Sequence, residues 1–468
     1  MRYPRVVSLD FQRGIAICLM VVLHTFEHLY DYSWAIADPQ RALTLPPAVL
    51  AVGGVAAYVG SWNAYFLLIS ATVNALAMTR RMGDGVRARV ALGRQVLTGV
   101  GLLLLGVVVG SFMYDGYIGM ALRTGDWGNT RPLRHGIFSM GTLHMIGWST
   151  LINGVVHVLL MRAGGHRRTR TNILVFACLA LAVVIASPFL HQWVDGMDWR
   201  VPDVAPAEFK LGEHKTWPSA HVQEFNASPR AWLFATLAGD LEPLFPYLAT
   251  SFVGSIIGLA LADRAEHRRL LTIGSCAAAG AIVVGAVFAL SGSFTPGNNR
   301  PPIGNYLLML GGQVGAMMLM LWLVEFRGDP MRFANRPLVR GLRLWSMASL
   351  SIFSLEILQL PLRWVFGAAA GLAMGQPVNM MRHGFFGYGQ EALAFLVALG
   401  VVLCFHVLVK LWSRANFKYG FEWAIVRLAS LGSGRVSTRL DVERLMNNTE
   451  WMRAGEPAAA TAPATHRL

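Results

Sequence analysis

The chain has 468 residues, of which 54% are hydrophobic and only 14% charged, where an ordinary soluble domain carries about 25% charged residues. That composition excludes a soluble monomer. The 40 Lys and Arg against 26 Asp and Glu give a formal charge of +14, but the cations fall in short clusters between long apolar runs, a membrane pattern rather than that of a nucleic-acid binder.

A helix crosses a hydrocarbon core of about 30 Å with roughly 20 apolar residues. Ten runs meet this requirement, over residues 12–31, 54–79, 92–114, 136–161, 172–193, 243–263, 270–292, 303–326, 345–371 and 391–413. Placing the N-terminus in the cytoplasm puts most basic residues inside. They include Arg80, Arg81, Arg87, Arg89 and Arg94 after the second run, and Arg327, Arg332, Arg336, Arg340 and Arg343 after the eighth. The positive-inside rule then predicts an all-α, polytopic integral membrane helix bundle with both termini cytoplasmic. The first run is a span and not a signal peptide, because His24, Glu27 and His28 interrupt it and further spans follow. Cys18, Cys178, Cys276 and Cys404 each sit inside an apolar run, without metal or redox spacing, and read as small core or lipid-facing residues.

Residues 1–435 form the transmembrane domain. Its outer loop, residues 191–241, carries Trp193, Trp199, Trp217 and Trp232 and reads as an ordered cap. Ser228-Pro229 marks the start of a short helix leading into the sixth run. Residues 421–431 read as a short interfacial helix. Residues 436–468, ending in an Ala/Thr/Pro-rich stretch, read as a disordered cytoplasmic tail.

The first run carries the chemistry. His24, Glu27, His28 and Asp31 share one helical face. Arg13 and His24 are eleven residues apart, about 16 Å along a helix, so Arg13 sits at the cytoplasmic headgroups and His24 near the midplane. A titratable group at that depth faces protein or a water-filled cavity and marks function. Imidazole suits general-base work, and a neighbouring carboxylate orients the ring and stabilises its cation. His24-Thr25-Phe26-Glu27-His28 also fits the H-x-x-E-H pattern of inverted zinc proteases, but no third ligand is legible and no metal is expected.

Ser8-Leu9-Asp10, Arg13-Gly14 and His24 resemble the opening of transmembrane acyltransferases, which share an Arg, ten intervening residues and a His. Residues 66–81, Gly141-Thr142-Leu143-His144-Met145-Ile146-Gly147, and Pro243-Leu244-Phe245-Pro246-Tyr247 with Gly254 and Gly258 resemble segments of the bacterial relatives of lysosomal heparan-α-glucosaminide N-acetyltransferase. The likeness covers roughly residues 6–370. It departs at His24, where the lysosomal enzyme has Asn; at Ala35, near the place of that enzyme's loop histidine; and at Glu356, where the family often carries His.

The resemblance implies transfer of an acyl group, typically acetyl, from a cytoplasmic acyl-CoA co-substrate to a hydroxyl or amino group of an outer-face glycan or lipid-linked acceptor in a bacterial inner membrane. It places Arg13 at the CoA entrance and His24 at the reacting centre, with His28, Glu27 and His144 as further catalytic candidates. Arg80 and Arg81 join Arg13 as candidates for the CoA phosphates, which guanidinium binds through paired hydrogen bonds. Membrane lipids and the acceptor are the expected partners, nucleic acid is not, and a homo-oligomer is left open. Asn63, Asn74 and Gln313 read as helix-packing residues; Glu356 is either that or functional. Glycines 99, 101, 106, 110, 254 and 258 allow close helix approach. A proton-coupled secondary transporter is the alternative reading, and a non-catalytic scaffold the third.

Overall fold

Long apolar runs become helices in a bilayer because only an internally complete set of backbone hydrogen bonds survives in hydrocarbon. A computed structural model of the chain describes residues 5–42, 44–138, 140–197, 229–239, 242–292, 300–430, 441–447 and 450–452. Among these, nine helices are long and apolar enough to cross a membrane, and a helix pair bent by 45° brings the number to ten if the pair forms one span. No strand forms among the described residues; isolated bridges join Arg5 to Trp451 and Tyr30 to Phe386. The protein is an all-α, multi-pass integral membrane protein whose outer helices face lipid.

In chain order, α1 (Val7–Leu29) precedes the bent pair α2 (Pro47–Gly60) and α3 (Tyr65–Gly83), then α4 (Ala88–Phe112) and the short α5 (Tyr117–Thr124) and α6 (Arg131–Phe138). Next come α7 (Thr142–Met161), α8 (Thr169–Asp195), the short α9 (Pro229–Ala238), α10 (Leu244–Ala262), α11 (His267–Gly292) and α12 (Ile303–Leu321). The last part holds α13 (Pro337–Met347), α14 (Ser349–Ser354), α15 (Gln359–Met374), α16 (Glu391–Ser413), α17 (Phe421–Ser430) and α18 (Val442–Asn447). Pro47 and Pro337 open α2 and α13, where a missing N–H costs nothing. Gly375, at φ 68°, closes α15 in the left-handed conformation.

Nine of the ten expected spans have a membrane-length helix, and three of the ten change outline. The second is broken between Gly60 and Tyr65. The fourth begins at Thr142, because residues 136–138 belong to the separate α6. The ninth is preceded by α13 and α14, and its membrane-length helix starts at Glu356. Ala348 and Leu355, at φ −116° and −95° with ψ near 20°, depart from helical angles on either side of α14. Serine hydroxyls at 346, 349, 351 and 354 offer the backbone alternative partners there.

Two packing centres result. In the first, α10 is the buried hub: 83% of its apolar window is covered, against 11% for the lipid-facing α11. Gly254 and Gly258 bring α10 directly onto the α3 backbone at Leu68 and Thr72, while Gly99 of α4 seats against Gly147 and Leu151 of α7. In the second, α1 packs against α13 and α16 through Ile17, Val21, Trp345, Val401 and Phe405. Gly14 lies under the Leu342 carbonyl, which fixes the register of α1 against α13. At the start of α1, Ser8 N–H donates to Glu325 Oε1 at 2.9 Å, satisfying an orphan donor of the helix end.

Of the tail, the described residues 441–447 and 450–452 depart from the expectation of disorder. Val442 and Met446, one turn apart, are buried against the α13–α16 centre. Arg343 Nη2 donates to Leu445 O at 2.9 Å, and Met452 N–H donates to Arg5 O at 2.8 Å. Six helical residues are too few for a periodic signal, and their partners lie far away in sequence. The expected outer cap lies outside the described residues over 198–228 and 240–241, with Trp199, Trp217 and Ser228. Of its remaining members, α9 supplies the short helix, Trp193 meets Phe234 at 5.4 Å and Trp232 meets Trp148 at 6.2 Å.

Candidate functional site

His24 lies five residues, about one and a half turns, before the end of α1, where the parallel α13–α15 segment runs beside it. The break at Leu355 turns the next residue toward α1, and His24 Nδ1 lies 2.7 Å from Glu356 Oε1. Gln359 Nε2 donates to the same oxygen at 2.8 Å. The Thr25 hydroxyl shares its single proton between Gln359 Oε1 at 2.7 Å and Val21 O at 2.6 Å. This chain of bonds holds the Glu356 carboxylate in place and assigns it to Nδ1–H, leaving Nε2 as the basic nitrogen. The ring is surrounded by protein yet keeps 40% of its side-chain surface accessible, so it borders open space and not close packing. Glu356, Glu27 and Asp115 give it a negative electrostatic surrounding, which stabilises an imidazolium formed there.

His28, one turn further out, has the opposite surroundings. Its Nδ1 lies 3.0 Å from His383 Nδ1, and its ring meets Tyr114 at 4.6 Å. Arg363 and Arg123 supply positive potential. Arg363 is fully buried and clamps this outer end, donating to Met380 O, Tyr114 Oη and Arg382 O at 2.9–3.0 Å. The two histidines of the first span are therefore chemically distinct: one is paired with a carboxylate, the other with a second imidazole.

On the Arg13 side of His24 a cavity of about 260 Å³ opens between α1, α3, α4, α7, α13 and α14. Its α1 wall ends at Ile17, seven residues or about 10 Å short of His24. Phe353 and Thr142 stand at its wall, three residues from Glu356 and in hydrogen-bond contact with Glu242 respectively. Glu242 is buried, has a left-handed backbone (φ 44°), interacts through space with His24 and has its carboxyl raised above the usual range by burial.

Arg5 and Arg13 supply the cations of the cavity wall. Arg5 is paired with Asp10 at 2.8 Å. Arg13 makes no hydrogen bond or ion pair among the described residues; Asp10 and Glu422 reach it only through space. An uncommitted guanidinium on a cavity wall is an anion-binding group.

The C-terminal segment completes that wall. Phe417, Glu422, Ile425, Val442 and Leu445 all line the cavity. Glu422 accepts from Leu350 N–H at 2.5 Å, from Ser351 N–H at 3.2 Å and from the Ser351 hydroxyl, and so caps the first turn of α14. Burial outweighs these bonds and raises its carboxyl above the ordinary value. The folded protein thus holds this proton more tightly than the unfolded chain. The Glu422 contribution to stability falls as pH rises from the ordinary carboxylate range through the raised value, then levels. Melting curves of wild type and Glu422→Gln across a pH series should accordingly diverge in that window, wild type losing more on the alkaline side; a pH-independent difference contradicts this.

Of the residues singled out from the sequence, His24 and Arg13 occupy the two ends of one arrangement, and Glu27 stands exposed on the His24 face. His144, Arg80 and Arg81 lie apart from that arrangement. His144 is seated against Gly106 of α4 and makes no hydrogen bond to His24, because α7 packs on α4, α10 and α3 and not chiefly on α1. Arg80 and Arg81 do not line the cavity. The last turn of α3 carries Arg80 toward Met452 Sδ, at 3.9 Å, and Arg81 toward Arg94. Arg5 and Glu422 take the wall positions instead, and both were missed. Glu356 was visible as a buried charge but not as the partner of His24. No family model and no curated protein matches the chain.

Proposed function

We propose that the protein is a membrane acyltransferase that uses a cytoplasmic acyl-CoA, typically acetyl-CoA, to acylate a hydroxyl or amino group of an outer-face glycan or lipid-linked acceptor, in a bacterial inner membrane. The observation that supports this best is the accessible His24–Glu356 pair beyond the end of an inner cavity bearing the uncommitted cation Arg13. The CoA phosphates sit at Arg13 and Arg5, and the extended pantetheine arm carries the thioester along the cavity toward His24. Nε2 of His24 takes the acceptor O–H or N–H proton as the acceptor atom bonds to the thioester carbon. The carbon–sulfur bond breaks, and the imidazolium returns the proton to the thiolate, giving acyl acceptor and free CoA. Glu356 fixes the ring and stabilises the cation between these steps.

The decisive test is purification in detergent with labelled acetyl-CoA, following CoA release in wild type and His24→Ala. Absence of release from wild type, or equal release from the variant, rejects the reading. A proton-coupled transporter is the second reading, since a titratable pair inside the bundle also suits proton relay; it requires substrate flux in proteoliposomes without CoA release.

The donor end makes a separate prediction. Arg13→Ala should raise the KM for acyl-CoA about tenfold, the loss of one set of charge-assisted bonds, with little change in kcat. Arg80→Ala and Arg81→Ala should leave KM near wild type. Steady-state kinetics at fixed ionic strength distinguish the three.

A further inference from the structure

Beside the inner cavity, α3, α4, α7 and α10 enclose a second space of about 10 Å³, room for about one water molecule. Its lining is polar for a membrane interior: Asn74, Gln95, Thr150, Asn153, His157 and Ser251 contribute. His157 decides what belongs there. It is 2% exposed, one ring face meets Phe176 at 4.6 Å, and both ring nitrogens are buried with no hydrogen-bond partner. Its neighbours are already engaged with one another, since Asn153 bonds to the Ser251 hydroxyl and the Ser255 hydroxyl lies 3.2 Å from Asn153 Oδ1.

A buried imidazole with an unmet donor and acceptor carries a desolvation penalty that a ligand able both to donate and to accept removes. No carboxylate lines the space, so a metal cation there would keep an uncompensated charge in a low-dielectric interior. Only a neutral molecule of about one heavy atom meets both conditions. We propose that this chamber is a binding site for one ordered water, held by the ring nitrogens of His157. Asn74 and Thr150 line both spaces, so the water exchanges through the inner cavity and not through lipid. The site is independent of the reaction the protein performs.

Hydroxyl-radical labelling of the full-length protein in detergent, driven by X-ray radiolysis in ¹⁸O-water, tests this directly. Met78 lines the chamber and Met317 does not, although the two are 1% and 0% exposed. Met78 should take up ¹⁸O severalfold faster than Met317, and Asn153→Leu, which fills the chamber with an apolar side chain, should abolish the difference. His157→Phe serves as the second variant if the first does not fold, with the same expected loss. Equal rates at the two methionines in wild type, or rapid Met78 labelling that survives in a folded filled variant, overturn the proposal.

Discussion

Glu356→Gln should lower turnover by about 10²-fold, and His24→Ala by about 10²–10⁴-fold, with the double variant no worse than His24→Ala alone. The reasoning is local. Glutamine at 356 keeps an oxygen within reach of His24 Nδ1 and Gln359 Nε2, now at 2.7 and 2.8 Å from the carboxylate, so the ring stays oriented. What it removes is the negative charge facing the imidazolium that forms when Nε2 takes a proton. Because both residues act through one imidazole ring, their effects do not add. Glu27→Gln, on the exposed side of the same face, should change turnover little. Labelled acyl-CoA kinetics on the four variants give the comparison. Turnover that is additive between His24 and Glu356 breaks the pair as a functional unit.

Gly14→Ala should destabilise the folded protein by about 1–3 kcal/mol, the range for overpacking a tight contact. A Cβ at Gly14 falls on the backbone carbonyl of Leu342, which no change of rotamer can move aside. Relief requires α1 to shift against α13, and the same two segments carry His24 and Glu356. Turnover should therefore fall with the melting temperature. Gly83→Ala is the matched control, since nothing lies within 4 Å of the added methyl, and it should melt as wild type does. Fluorimetric melting of the three proteins in one detergent is sufficient. A wild-type melting temperature for Gly14→Ala refutes the close α1–α13 contact.

The architecture was legible because bilayer thickness imposes a length that apolar runs either meet or miss. Helix breaks were less so. Nothing in the hydropathy of residues 345–371 distinguishes a continuous span from α14 followed by a new helix at Glu356; the distinction lies in where serine hydroxyls and two departing backbone angles fall. Arg13 and His24 could be placed on one helix by counting residues, which is a local operation. The carboxylate that orients His24 lies 332 residues away, so its identity depends on packing between distant spans. The same reason hides Glu422, whose position on the cavity wall exists only after the chain beyond α16 folds back. His144 illustrates the converse: its depth in the fourth span was readable, but the helix it faces was not.

That folding back sets an order of events during synthesis. Side chains between 417 and 445 complete the inner cavity, so that cavity is not enclosed until the segment beyond α16 has been made. A purification tag spliced in just after α16 would separate the enclosing segment from the bundle it covers.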